Sequence, residues 1–119
     1  MIQTLKNNDI IFLMHLKHVF NLPDDIVQET EAVMNYGFIG NNQNEFKKIP
    51  IEVITFGCLL YVCDRNNYSN LDQETLLHIM EFLFNGKIEF YVKRINKVKK
   101  MAENRFKGQE IKLIKNRFS

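Results

Sequence analysis

The chain has 119 residues, 45% of them hydrophobic, and a formal net charge of +2. That length suits one domain, and roughly two thirds of its unfolded surface can be buried, so neither a metal nor a disulfide is needed to hold a core. No apolar run approaches the ~18 residues of a membrane span, no charged start leads into an apolar stretch, and two cysteines make no disulfide framework.

The first predicted helix ends near Phe20, with Asn8 or Asp9 as its cap. Phe12, Leu13, Leu16, Val19 and Phe20 share one arc of it, and His15, Lys17 and His18 fall outside that arc. Leu22-Pro23-Asp24-Asp25 opens a second helix. Proline suits a first helical turn, and two carboxylates there face the positive end of the helix dipole. Ile26, Val27, Thr30, Val33 and Met34 recur at helical spacing, and Gly37 is the stop signal. Residues 37–48 read as the main loop, rich in Asn and Gly.

Residues 49–62 are the most hydrophobic segment. Pro50 and Glu52 signal a helix start, and apolar residues on every face mark a central, buried helix. The β-branched and aromatic content also fits a buried strand. Gly57 would let a neighbouring helix come close. Cys58 and Cys63 fall on different faces of such a helix and read as buried free thiols, which suits a reducing, intracellular compartment, cytoplasm or nucleus.

A polar loop over 64–70 precedes an amphipathic helix that starts at Leu71-Asp72. Leu76, Leu77, Ile79, Met80, Leu83 and Phe84 fill its apolar face, Glu74, His78 and Glu81 lie opposite, and Asn85-Gly86 stops it. The last helix covers 88–106. Ile88, Tyr91, Val92, Ile95, Val98, Ala102 and Phe106 share its apolar face, and Gly108 ends it. The tail beyond alternates apolar and basic residues. The expected fold is therefore all-α: a compact bundle of about five helices, with an acidic body over 1–86 and a basic helix and tail over 87–119.

Charge divides along the same boundary. Residues 87–119 hold eleven Lys/Arg and three Asp/Glu, a net of +8. Residues 1–86 hold five Lys/Arg and eleven Asp/Glu, a net of −6. Such a split points to an interaction surface at one end. Lys93, Lys97 and Lys100 fall at i, i+4 and i+7, a stripe about 10 Å long. That length meets two neighbouring phosphates of a nucleic-acid strand. Arg94, Arg105, Lys107, Lys112, Lys115 and Arg117 extend the field. Phe90 and Phe118 offer rings for a base or a protein pocket. The competing reading is a solvated helix face that neutralises the chain's own acidic body. An acidic protein surface or an anionic membrane surface would satisfy the same charges.

Other constellations are weaker. His15 and His18 supply two ligands where zinc takes three or four. Glu74, His78 and Glu81 place an imidazole beside carboxylates, as a general base requires, but no nucleophile or Gly-rich loop accompanies them. Asp24 and Asp25 are helix-start residues. The chain carries no phosphate loop, dinucleotide fingerprint or nucleophile elbow. Function is therefore expected to be non-catalytic, without metal or cofactor: binding to RNA or a ribonucleoprotein through residues 87–119. The alternative is a protein-interaction subunit or adaptor docking on an acidic or apolar protein surface. Abundant Asn, Ile, Lys and Phe, with no Trp and two Pro, match an AT-rich coding sequence of viral, phage or parasite type.

Overall fold

The chain is described by a computed structural model, which covers residues 7–39 and 49–106. Five α-helices follow in order: α1 (Asn7–Phe20), α2 (Asp24–Met34), α3 (Ile51–Arg65), α4 (Gln73–Leu83) and α5 (Ile88–Arg105). A π-helical turn, Asn35–Ile39, continues α2. The fold is an all-α bundle, and no strand occurs among the described residues.

Residues 51–62 are helix. The strand alternative gives way because α3 has a neighbour on nearly every side: its main partner is α5, followed by α2 and α1. Val53, Phe56, Cys58, Leu59 and Val62 point in different directions and are all fully buried. A strand offers two faces, whereas a helix distributes such residues around its axis. Leu60 lies where coverage thins and is only partly buried.

Both prolines stand at helix entrances. Pro23 and Pro50 are extended residues just before α2 and α3. Each offers its carbonyl to the first turn, taking the Val27 N–H at 3.1 Å and the Ile54 N–H at 3.2 Å. They are thus one residue earlier than the first helical position. α1 begins at Asn7, so Asn8 and Asp9 lie within the helix. Asp72 caps α4, accepting the Glu74 N–H at 3.2 Å and the Thr75 hydroxyl at 2.6 Å. The Thr75 hydroxyl does most to hold the Asp72 carboxyl below its ordinary range.

Three helices close in the same way. Asn21, Asn67 and Asn85 take left-handed backbone conformations, with φ of 52°, 55° and 52°. Beyond each, an N–H returns to a carbonyl in the last turn: Leu22 to Lys17 at 3.0 Å, Tyr68 to Cys63 at 2.8 Å, Gly86 to Glu81 at 3.4 Å. This arrangement satisfies helix-end carbonyls, and Asn tolerates the backbone better than most residues.

Gly37 does not end a helix. It sits inside the π turn, and a Cβ there would stand 2.7 Å from the Phe106 ring. A side chain at this point would have to push the tip of the buried Phe106 ring aside. Phe38 beside it is fully buried, and Arg105 lies over its ring at 5.8 Å.

The α2–α3 contact holds a polar cluster. Glu29 is buried and takes the Asn66 side-chain N–H at 2.9 Å. The Arg65 Nε stands 3.4 Å from the same carboxylate oxygen, and its Nη1 donates to the Tyr61 hydroxyl at 2.8 Å. One acceptor thus binds two consecutive residues at the end of α3. Buried Thr30 and Thr55 donate to the Ile26 and Ile51 carbonyls, each at 2.7 Å.

Five aromatic rings form a chain from core to surface. Phe12 meets Phe56 at 5.4 Å, Phe56 meets Phe84 at 6.4 Å, Phe84 stacks on Tyr91 at 4.2 Å, and Tyr91 takes Phe90 edge-on at 5.2 Å. Phe90 is its exposed end.

Some residues assigned to apolar faces lie outside the core. Val19, Leu77 and Leu83 are exposed, as is Phe82, at 87%. The buried face of α4 is narrower than its sequence pattern: Leu76, Met80 and Phe84, with Ile79 partly covered. No helix among the described residues is long and apolar enough to cross a membrane.

Candidate nucleic-acid interface

α5 packs through Ile95, Val98, Ala102 and Phe106, all buried, with Tyr91, Val92 and Met101 partly covered. The spacing of these residues dictates which side faces out. Lys93, Lys97 and Lys100 are exposed. Among the described residues, none of the three has a carboxylate within ion-pair distance. Glu89 and Glu103 are also exposed on α5, leaving the helix with six cations against two carboxylates, a net of +4.

Lys99 behaves differently. Its ammonium pairs with the Asp64 carboxylate at the end of α3. Helical spacing puts Lys99 outside the stripe, and its partner lies on another helix. The acidic body therefore neutralises one α5 lysine directly and leaves the stripe uncompensated.

The two arginines rest on rings. Arg94 lies 5.6 Å from the centroid of Phe90, and Arg105 lies over Phe38. Stacking on a ring orients a guanidinium. Lys107, Lys112, Lys115, Arg117 and Phe118 lie outside the described residues, as does Gly108.

Elsewhere, His15 and His18 are exposed on α1. Glu74, His78 and Glu81 are exposed on α4. Asp24 pairs with Lys17 at 2.7 Å, joining the start of α2 to the end of α1. No group of three or more His, Cys, Asp or Glu capable of holding a metal occurs among the described residues. Cys58 and Cys63 are free and buried. Burial pushes the Cys58 thiol well up, and burial reinforced by the Asp64 charge pushes Cys63 up to about 12. Both are thereby poor nucleophiles and poor metal ligands near neutrality.

Comparison with protein-family models, with curated proteins and with solved structures gave no match.

Proposed function

We propose that this is a non-catalytic binding protein that associates with RNA or a ribonucleoprotein through α5 and the basic residues after it. The observation that carries the reading is the difference between Lys99 and its neighbours. Lys99 is neutralised by Asp64, while Lys93, Lys97 and Lys100 remain exposed on the opposite side from the packing stripe. Exposed cations in a row displace the counterions condensed on a phosphate backbone. Arg94 and Arg105 flank the row, and Lys107, Lys112, Lys115 and Arg117 add charge beyond it. No metal or cofactor enters this reading.

A second reading, a protein-interaction subunit, draws on exposed Leu77, Phe82 and Leu83 of α4. Helical spacing sets Leu77 and Leu83 on either side of the buried stripe and Phe82 opposite it, so Phe82 is the side chain that a partner's pocket would take.

Filter binding of mixed RNA across a salt series separates the two. Binding that weakens steeply with salt is expected for the parent. Lys93→Glu, Lys97→Glu and Lys100→Glu together should abolish it with an unchanged melting curve. Neutral replacement of the three by Gln should reduce the salt slope by about 2. A parent that binds no RNA at low salt removes the RNA reading and favours the protein one.

A further inference from the structure

We propose that α5 carries a base-stacking position at Phe90, so that its ligand is single-stranded rather than duplex nucleic acid. The inference rests on the reading of α5 as an RNA-binding face and names the form of RNA that face takes.

Phe90, Lys93, Arg94 and Lys97 fall at i, i+3, i+4 and i+7, which places them side by side on one helix surface. From Phe90 to Lys100 this surface runs about 15 Å along the axis. A ring thus stands at the start of the row of cations. Phe90 is 57% exposed, so its ring is within reach of a ligand in solvent.

The ring is nonetheless held in place. Tyr91 meets it edge-on at 87° between planes, and Arg94 covers it at 5.6 Å. Behind Tyr91 stand Phe84, Phe56 and Phe12, so the support reaches the core. An exposed side chain fixed from behind loses little further freedom when a ligand binds, which is the condition for a useful anchor.

Duplex RNA keeps its base faces stacked inside the helix and presents phosphates and 2′-hydroxyls. The lysine row serves either form, but Phe90 has a partner only in an unpaired base. A strand would set one base on Phe90 and lay its next phosphates along Lys93, Lys97 and Lys100.

The test is fluorescence anisotropy of the full chain with a labelled single-stranded RNA and with the duplex of the same sequence, over a salt series. Phe90→Ala should weaken single-strand binding about tenfold, within the range set by one stacked base, and duplex binding less than about twofold. Its salt slope should match the parent's, because no phosphate contact is removed. Phe90→Leu keeps the apolar bulk without the aromatic face and should lose as much as Phe90→Ala. Because the chain has no Trp, Phe90→Trp adds its sole indole, whose emission should be quenched by the single strand.

Equal loss on both RNA forms, or full retention by Phe90→Leu, overturns the stacking position while RNA binding by α5 stands. Parent protein that binds both forms equally, with Phe90→Ala unchanged, does the same. Parent protein that binds neither form at low salt overturns both readings.

Discussion

Gly57 and Val98 meet so closely that a single added carbon would collide: a Cβ at Gly57 would stand 2.5 Å from Val98 Cγ1 and 3.0 Å from the Ile95 carbonyl oxygen. The α3–α5 crossing is set at this point, and the orientation of the whole basic face depends on it.

Gly57→Ala is therefore expected to lower the melting temperature. Alanine gains up to ~1 kcal/mol in helix propensity. Overpacking costs about 1–3 kcal/mol, and the collision involves backbone as well as a side chain. Adding Val98→Ala should recover only part of the loss, since the Cβ of residue 98, at 2.7 Å, and the Ile95 carbonyl both stay in place. A double-mutant cycle by thermal melts measures that coupling. Additive effects would mean the two residues do not meet.

Glu29→Ala should destabilise the fold by about 3 kcal/mol, because it removes the carboxylate that compensates the mostly buried Arg65 guanidinium. Asn66→Ala should cost less, since the ion pair survives. Urea titration of the two variants gives the order directly, and the reverse order would refute this account of the cluster.

The buried thiols give stability a pH dependence on the alkaline side. Cys63 ionises near the ordinary value of 9.0 when unfolded and near 12 when folded, chiefly through burial. Its contribution is complete below 9.0 and is lost as pH rises from there toward 12. Cys58 shifts in the same direction. Melting temperature should fall between neutral pH and the lower part of that window. Replacing both cysteines by Ala should flatten this fall even though the variant is less stable at neutral pH. An equally steep fall in the variant would place the titrating group elsewhere.

The features legible in the sequence are local or periodic. Pro23, Pro50 and Asn85-Gly86 mark helix ends through backbone preferences that act within a few residues. The lysine row comes from spacing alone, and the all-round apolar character of α3 signals its central place. The differences arise from properties of neighbours. Periodicity gives α4 an apolar arc but not how much of it the rest of the bundle covers, so Leu77 and Leu83 lie in solvent. Glu29 and Asn66 are 37 positions apart, and no local signal joins them. Gly37 reads as a stop until Phe106 is known to press against it.

The π turn at Asn35–Ile39 is a place where one residue of chain length is absorbed locally. A π turn winds an additional residue into a helix. Deleting one residue inside the turn would let it relax to α-helix while the residues on either side keep nearly their present orientation. Which residue is lost then decides the cost: loss of Phe38 would empty a fully buried site, and loss of Gly37 would bring a side chain against the tip of the Phe106 ring.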